Sequence, residues 1–118
     1  MGSILVIEDE RVVLNVIETA LTQFGHRVEV AEDGREGIRK FEEGRFDVVI
    51  TDLIMPNVDG NAVVRHIRNS KRKWTPIIGM SGTPWLVNKS GVDKILTKPF
   101  PLKRLLDAIE HLSAATIN

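Results

Sequence analysis

The sequence predicts an α/β fold in which helices cover both faces of a parallel sheet. Five short apolar segments alternate with stretches in which apolar residues recur at helical spacing. Strands that alternate with crossover helices form parallel sheets. The 118 residues suit one ordinary domain, and a chain of this length can fold without disulfides or a structural metal. We therefore expect a single domain over residues 1–118.

The composition excludes several classes of protein. The chain has no cysteine, which rules out disulfide scaffolds, zinc ribbons and thiol catalysis. Its 16 basic and 16 acidic side chains cancel, so the electrostatic attraction of a nucleic-acid-binding protein is not expected. The apolar runs are too short to span a membrane, and the first residues lack the pattern of a signal peptide. We expect a cytoplasmic protein that contacts neither nucleic acid nor membrane directly.

The first strand and helix are predicted from a change of hydrophobic period. Residues 4–7 form a continuous apolar run, typical of a strand buried on both faces, and the acidic residues 8–10 end it. The next apolar residues follow the spacing of one helical stripe: Val13, Ile17, Ala20, Leu21 and Phe24. Gly25 follows the stripe, where a left-handed residue would end the helix.

The second unit is predicted to begin with an edge strand. Residues 27–31 alternate polar and apolar side chains, which favours a strand at the edge of the sheet. Asp33 and Glu36 have the spacing of a capping box, so a helix is predicted to start there. That helix carries Ile38 and Phe41 on its apolar side, and we expect Gly44 to end it.

The third unit carries an aspartate at the end of its strand. Residues 46–51 are rich in β-branched side chains, and Asp52 follows them. A loop is predicted over 56–60, with Asp59 as the cap of the next helix. That helix is predicted to direct some residues inward (Val63, Val64 and Ile67) and others outward (Arg65, Arg68 and Lys71).

The last two strands are joined by an unusually short segment. Strands are predicted over 76–80, ending at Ser81, and over 92–97, ending at Lys98. Only ten residues, 82–91, separate them, fewer than a parallel crossover with a full helix needs. We therefore expect a shortened or irregular fourth helix. The final helix is predicted over 101–114, with one apolar stripe: Leu102, Leu105, Leu106, Ile109 and Leu112.

Polar residues at the strand ends point to a phosphoryl-acceptor site. In a parallel α/β sheet, ligands bind beyond the carboxyl ends of the strands, where this chain places Glu8, Asp9, Asp52, Ser81 and Lys98. Crowded carboxylates and the absence of Cys favour Mg²⁺ as the cofactor. A carboxylate beside a divalent cation, a hydroxyl and a lysine can accept a phosphoryl group, and Asp52 is the best candidate nucleophile.

Three segments resemble the signature segments of response-regulator receiver domains in two-component signalling. They are residues 4–10 (ILVIEDE), 46–60 (FDVVITDLIMPNVDG) and 95–102 (ILTKPFPL), and the resemblance extends over essentially the whole chain. The resemblance implies a doubly wound, flavodoxin-like sheet of five parallel strands in the order 2-1-3-4-5.

The resemblance also implies a role for each strand-end residue. Asp52 is similar to the aspartate that a histidine kinase or phosphotransferase phosphorylates. Asp9 and Glu8 correspond to the carboxylates that hold Mg²⁺ with Asp52, and the backbone carbonyl of Ile54 would be a further metal ligand.

The remaining motif residues correspond to those that contact the phosphoryl group. Ser81 resembles the hydroxyl residue that bonds this group, and Lys98 resembles the lysine that pairs with it. The Lys98–Pro99 peptide would be cis in this family.

The chain departs from the family pattern near its last strand. Many receivers have an aromatic residue three positions before the lysine, where this chain has Ile95. We therefore predict intact phosphorylation chemistry with an altered readout. Trp85, in the short segment, is predicted to be an apolar packing anchor, with a partner contact as the alternative. Trp74 is predicted to lie at the edge of the core, and Phe100 to pack in its loop.

Three functional hypotheses remain at this point. The first is a phosphoacceptor switch that signals to an unknown downstream partner or output domain, and a homodimer is possible. The second is a Mg²⁺-dependent phosphatase, which Ile54 disfavours because such enzymes commonly have an acid two residues after the nucleophile. The third is a pseudo-receiver scaffold that acts without phosphorylation. The intact set of site residues favours the first, and we do not expect an enzyme that acts on external substrates.

Overall fold

The computed structural model describes residues 2–55 and 58–117 and has the predicted α/β architecture. These residues form five strands and four α-helices. They are β1 (Ser3–Ile7), α1 (Arg11–Gln23), β2 (Arg27–Ala31), α2 (Gly34–Glu43), β3 (Val48–Asp52), α3 (Gly60–Arg68), β4 (Ile77–Ser81), β5 (Lys94–Thr97) and α4 (Leu102–Ile117). Residues 56 and 57 of the predicted loop lie outside the described part of the chain.

The five strands form one parallel sheet in the order β2-β1-β3-β4-β5, as predicted. β2 is an edge strand, and its alternating sequence leaves every second side chain exposed. β3 is central, and all five of its residues are buried. Because Asp52 pairs with Met80 in the register of β3 and β4, Asp52 and Ser81 lie at neighbouring strand ends.

Alternate residues of the central strands supply two apolar cores, one on each face of the sheet. Ile4 and Val6 of β1 belong to the core beneath α1 and α4, whereas Leu5 and Ile7 belong to the core beneath α2 and α3. This division follows from the period of two in a strand, which directs successive side chains to opposite faces. A continuous apolar strand is therefore what a sheet covered on both faces requires.

The predicted helix boundaries are largely confirmed. Asp33 caps α2 by accepting a hydrogen bond from the Glu36 amide at 2.8 Å, and Asp59 caps α3 through the Ala62 amide at 3.0 Å. Gly25, with φ of +89°, ends the turn after α1 in the left-handed region. α4 starts after Pro101 and runs to Ile117, three residues beyond the predicted end.

Several side-chain predictions are wrong. Phe24 follows the last turn of α1 and is exposed, and Leu14 is buried in the core instead. Lys71 lies past the end of α3. Arg68 does not simply face outward, because its guanidinium forms an ion pair with Asp93.

The segment between β4 and β5 contains one 3₁₀ turn, Pro84–Leu86, and no α-helix. The predicted shortening of the helix between these two strands is therefore confirmed. Trp85 is 74% exposed, and the interpretation of this residue as a packing anchor is wrong. Val87 and Val92 of the same segment pack against the core instead. Trp74 is 78% exposed and lies outside the core. Phe100, which was predicted to pack in its loop, packs against the core beneath α1 and α4.

Candidate functional site

The candidate site lies at the carboxyl edge of the sheet, where four neighbouring strands end. Glu8 follows β1, Asp52 ends β3, Ser81 ends β4 and Lys98 follows β5. Their order in space is fixed by the order β1-β3-β4-β5 in the sheet. Residues that are up to 90 positions apart in the sequence therefore meet at one edge, as the sequence predicts.

Lys98 is the cation at the centre of the site. Its Nζ lies 2.5 Å from Oε1 of Glu8 and 3.1 Å from Oδ2 of Asp52. A third carboxylate oxygen, Oε1 of Glu10, lies 3.9 Å away. Burial opposes the charge on Lys98, but its hydrogen bonds and ion pairs with Glu8 and Asp52 outweigh burial and raise the lysine pKa. The ammonium group therefore remains charged.

Glu8 is a fully buried acid. Its Oε2 accepts a hydrogen bond from the backbone amide of Glu10 at 3.0 Å. Burial raises the pKa of Glu8 to about 7, and the hydrogen bonds from Lys98 and Glu10 counteract part of this effect. The negative charge of Asp52 raises the Glu8 pKa further. Burial therefore disfavours the ionised form of Glu8, and additional positive charge nearby would stabilise that form.

Glu8, Asp9 and Asp52 form a cluster that can hold a metal ion. One carboxylate oxygen from each lies within 4.8 Å of the others. When Glu8 is ionised, the three carboxylates and the ammonium of Lys98 have a net charge of two negative units, which a divalent cation would balance. The donors are all oxygens, and Asp9 is exposed, so water could complete the coordination of an ion held there. This donor set fits Mg²⁺ better than a transition metal.

Asp52 is held in place through both its side chain and its backbone. Its Oδ1 accepts a hydrogen bond from the Ile54 amide at 3.0 Å, and its Oδ2 faces Lys98. The first residue of α3, Gly60, lies against the Asp52 carbonyl so closely that a Cβ there would be 2.1 Å from the oxygen. A glycine at position 60 therefore lets the start of α3 pack on the strand end that carries Asp52.

Ser81 is buried at the end of β4, next to Asp52. Its Oγ accepts a hydrogen bond from the Thr83 amide at 3.0 Å, and its carbonyl accepts one from the Lys98 amide at 2.8 Å. The Lys98–Pro99 peptide is cis, as the resemblance implies. The backbone bond between Ser81 and Lys98 joins the ends of β4 and β5.

An apolar cavity of about 650 Å³ opens beside Asp52 and Lys98. It lies between the first two turns of α1 and the segment 98–102. Most of its lining is apolar: Val12, Val13, Val16, Ile17, Ile54, Pro99, Phe100 and Leu102. Val12, Val16 and Ile54 are exposed at its rim. Among the described residues, the polar side chains that line it are those of Glu10, Asp52 and Lys98.

The structure brings the predicted carboxylates and the predicted lysine together. Ile54 contributes an amide donor to Asp52, a contact that the sequence analysis missed, and the role of its carbonyl as a metal ligand stays a prediction. Glu10 was also missed as a neighbour of Lys98. Glu10 directly follows Glu8 and Asp9 at the end of the same strand, and this position could have indicated that it lies near Lys98.

Fold and site together are those of a receiver domain from two-component signalling. A family model described as response regulator receiver domain matches residues 4–110. The chain therefore belongs to the response regulator receiver domain family, whose members are regulatory phosphoacceptor modules. None of the helices described in residues 2–55 and 58–117 is long and apolar enough to cross a bilayer.

Individual relatives agree with this assignment. The transcriptional regulatory protein TcrA of Mycobacterium tuberculosis is 34% identical over 115 residues, which cover 93% of this chain and 45% of TcrA. The chain thus spans less than half the length of this relative.

Solved structures show the same fold. The chemotaxis response regulator CheY4 of Vibrio cholerae is 30% identical, with a TM-score of 0.87 over 95% of this chain and 98% of CheY4. The receiver domain of the sensor histidine kinase PA1611 from Pseudomonas aeruginosa, solved with a magnesium ion in its active-site cleft, is 29% identical. Its TM-score is 0.88, over 96% of this chain and 98% of that chain.

Proposed function

We propose that the chain is a phosphoacceptor signalling module, one receiver unit over residues 1–118, that receives a phosphoryl group on Asp52. The observation that carries this proposal is the contact of the Asp52 carboxylate with Lys98 at 3.1 Å, beside the carboxylates of Glu8 and Asp9. A buried nucleophile with one fixed cation and an acidic metal site next to it is suited to the transfer of an anionic group.

The proposed transfer is a substitution at phosphorus. A carboxylate oxygen of Asp52 forms the new P–O bond, and the bond from phosphorus to the imidazole nitrogen of a phosphohistidine donor breaks. The donor nitrogen keeps the electron pair of that bond. Lys98 and the hydroxyl of Ser81 donate hydrogen bonds to the phosphoryl oxygens, which reduces charge repulsion as the group approaches Asp52.

Glu8, Asp9 and Asp52 would hold Mg²⁺, with the Ile54 carbonyl as a further ligand. When bound, the ion would supply positive charge that screens the carboxylates and polarises the phosphoryl oxygens. The single positive charge of Lys98 cannot balance three ionised carboxylates. The pKa of Glu8 is raised because the ammonium group of Lys98 offsets only part of the effect of burial. These features support a divalent cation as part of the working site.

The apolar cavity beside Asp52 supports a protein as the phosphodonor. Val12 and Val16 of α1 and Ile54 of the following loop are exposed apolar residues at its rim. A helix of a histidine kinase or phosphotransferase can bury its own apolar side chains there and bring a phosphohistidine to Asp52. A small phosphodonor would gain nothing from this apolar rim.

Phosphorylation is proposed to act on an unidentified downstream partner or on an output domain. Ile95, an aliphatic side chain without a hydroxyl, occupies the position at which many receivers have an aromatic residue, and no full helix covers the segment before β5. Both features support an atypical readout. Self-dephosphorylation is proposed to be slow, because Ile54 provides no acid or base beside Asp52.

The test is the intact mass of the protein after incubation with acetyl phosphate, with and without Mg²⁺. We expect a Mg²⁺-dependent gain of one phosphoryl group that Asp52→Asn abolishes. Asp107→Asn, which alters an exposed carboxylate on α4, is the matched control and should gain the same mass. If the folded wild-type protein gains no mass, the pseudo-receiver alternative replaces this proposal.

A further inference from the structure

A basic segment with an exposed tryptophan lies at the edge of the sheet opposite the one that carries Asp52. Residues 65–74 cover the last turn of α3 and the turn before β4, and they contain five basic residues and no acidic one. The basic residues are Arg65, Arg68, Lys71, Arg72 and Lys73. Because the strands are parallel and β4 begins at Ile77, the turn before β4 lies where the strands start. It is therefore remote from the phosphoacceptor site, which lies where they end.

The turn that carries Trp74 is held by the guanidinium group of Arg68. Nη1 of Arg68 donates hydrogen bonds to the carbonyls of Lys73 at 2.5 Å and Thr75 at 2.7 Å, on either side of Trp74. The Thr75 amide also donates to the Arg72 carbonyl at 3.1 Å. The side chain of Trp74 nevertheless lies in solvent. A large side chain on a fixed backbone has little conformational freedom left to lose when a partner covers it, so its burial favours binding.

Trp74 borders a cavity of about 440 Å³. The lining combines charged, apolar and aromatic groups: Arg68, Lys73, Trp74, Gly91, Val92 and Asp93. One wall is the end of the crossover between β4 and β5, residues 82–93, where Nε of Arg68 donates to the Gly91 carbonyl at 2.9 Å. A concave surface of this size beside an exposed aromatic ring can hold side chains of a short peptide.

The free charges around this cavity are positive. Among the described lining residues, Asp93 is the acidic one, and its carboxylate accepts a hydrogen bond from Nη2 of Arg68 at 2.8 Å. Its negative charge is therefore already paired. Nζ of Lys73 lies 4.8 Å from the centre of the Trp74 ring. Neither Lys73 nor the exposed Lys71 forms an ion pair with a carboxylate in the part of the chain that the structure describes.

We propose that Trp74, Lys71, Lys73 and the cavity beside them form a docking surface for an acidic peptide segment of a partner protein. An apolar side chain of that segment enters the cavity and covers the Trp74 ring, and its carboxylates pair with the two lysines. This docking surface uses no residue of the phosphoacceptor site. The proposal is therefore independent of the proposed function.

The observations favour a peptide over a nucleic acid as the occupant. A nucleic acid binds through many phosphates along an extended basic surface. Two of the arginines in residues 65–74 are already engaged, Arg68 with Asp93 and Arg72 with backbone carbonyls at the end of α2. The net charge of zero also provides no long-range attraction for a polyanion. One exposed ring beside a small cavity matches a single anchor flanked by carboxylates.

The test is a titration of a Trp85→Phe variant, in which Trp74 is the single tryptophan, with the blocked hexapeptides EELLEE and EEFFEE. We expect saturable binding, with a blue shift of the Trp74 emission as the ring leaves solvent. Added salt should weaken binding, because exposed ion pairs are screened. The neutral peptides QQLLQQ and QQFFQQ are the matched controls and should bind at least about tenfold more weakly.

Variants locate the binding surface, with the anisotropy of fluorescein-labelled peptide as the readout. Trp74→Ala should weaken binding by at least about tenfold, whereas Trp85→Ala, at the other exposed tryptophan, should bind as the wild type does. Lys71→Gln/Lys73→Gln should weaken binding and reduce its salt dependence. Lys103→Gln, at an exposed lysine on α4, is the control for lost charge and should change neither.

Each outcome supports or overturns the proposal. Undiminished binding to Trp74→Ala, equal affinity for the neutral peptides, or no binding of either acidic peptide at millimolar concentration overturns it. A labelled single-stranded oligonucleotide is measured in parallel. Tighter binding of the oligonucleotide than of the peptides, lost in Trp74→Ala, would make a nucleic acid the occupant and the proposal wrong.

Phosphorylation of the same variants separates this proposal from the proposed function. Trp74→Ala should gain phosphoryl mass from acetyl phosphate and Mg²⁺ as the wild type does, although it loses the peptide. If the wild type binds the acidic peptides but gains no phosphoryl mass, the proposed function fails and the docking surface stands. If it gains mass but binds no acidic peptide, the docking surface fails alone.

Discussion

Lys98 Nζ and Glu8 Oε1 lie 2.5 Å apart, although 90 positions separate the two residues in the sequence. The pair forms because β1 and β5 end at the same edge of the sheet, with β3 and its Asp52 between them. Lys98 thus neutralises part of a buried acidic cluster and faces the proposed phosphoacceptor at the same time. This pairing makes the stability of the fold and the chemistry of the site depend on the same ammonium group.

Lys98→Met should destabilise the protein because it leaves Glu8 buried without a partner. The expected loss in the free energy of unfolding is about 1–3 kcal/mol in the absence of metal at pH 8. The double variant Glu8→Gln/Lys98→Met should recover most of it, because a neutral amide is cheaper to bury than an unpaired carboxylate. Urea unfolding measures both values. Equal losses in the single and double variants would show that the pair does not determine stability.

Gly60→Ala should destabilise the fold, because the new Cβ would collide with the Asp52 carbonyl at 2.1 Å. Overpacking against rigid backbone gives an expected loss of about 2 kcal/mol or more. Gly82→Ala is the matched control, since a Cβ there meets no atom within 4 Å. Its effect should stay within about 0.5 kcal/mol. Comparable chemical stability of the two variants would contradict the described packing of α3 on β3.

Mg²⁺ should raise the thermal unfolding temperature of the wild-type protein. A ligand present at 100 times its Kd stabilises the folded state by about 2.7 kcal/mol. Asp9→Asn removes one of three clustered carboxylates and should weaken the response, whereas Asp107→Asn should preserve it. Differential scanning fluorimetry over a Mg²⁺ series, with EDTA as the reference, measures these shifts. An identical response in Asp9→Asn would place the ion elsewhere.

Stability should also depend on the protonation of His26. Its Nδ1 accepts a hydrogen bond from the Gly2 amide at 3.3 Å, and burial lowers its pKa below the ordinary value of 6.5. At a pH between the folded-state pKa of His26 and its unfolded-state pKa of 6.5, His26 binds a proton in the unfolded chain but not in the folded chain. The stabilisation is therefore complete above pH 6.5 and is lost as the pH falls through the folded-state pKa.

His26→Gln keeps a hydrogen-bond acceptor but does not titrate, so it should remove the rise of stability with pH that His26 contributes below pH 6.5. Because the raised pKa of Glu8 lowers stability as the pH rises over the same range, the variant should lose stability more steeply with rising pH than the wild type. Asn15→Gln, at an exposed and non-titrating position on α1, is the control and should leave that dependence unchanged. Urea unfolding at several pH values provides the comparison. A wild-type slope in His26→Gln would assign the effect to other groups.

The sheet and the strand-end residues could be predicted from the sequence because both depend on local patterns. A continuous apolar run such as 4–7 indicates a strand covered on both faces, and the residue that follows such a strand must lie at its carboxyl edge. The positions of Glu8, Asp52 and Lys98 follow directly. Their mutual distances do not, since they depend on the register between strands.

Side chains in the irregular segments could not be predicted in this way. Their apolar character predicts Trp74 at the edge of the core and Trp85 as a packing anchor, but both lie outside the α-helices and strands, where no periodic pattern directs a side chain toward the sheet. Arg68 follows the outward period of α3, yet its long side chain reaches the crossover and binds Gly91 and Asp93. Such contacts depend on loop conformation, which hydrophobic periodicity does not determine.

The central claim is that Asp52 itself accepts the phosphoryl group. The most direct measurement is to reduce the acyl phosphate with borohydride after treatment with acetyl phosphate and Mg²⁺, and to map the modified residue by peptide mass spectrometry. We predict conversion of residue 52 to homoserine, in wild-type protein but not in a sample prepared with EDTA. Modification at another carboxylate, with residue 52 unchanged, would contradict the account.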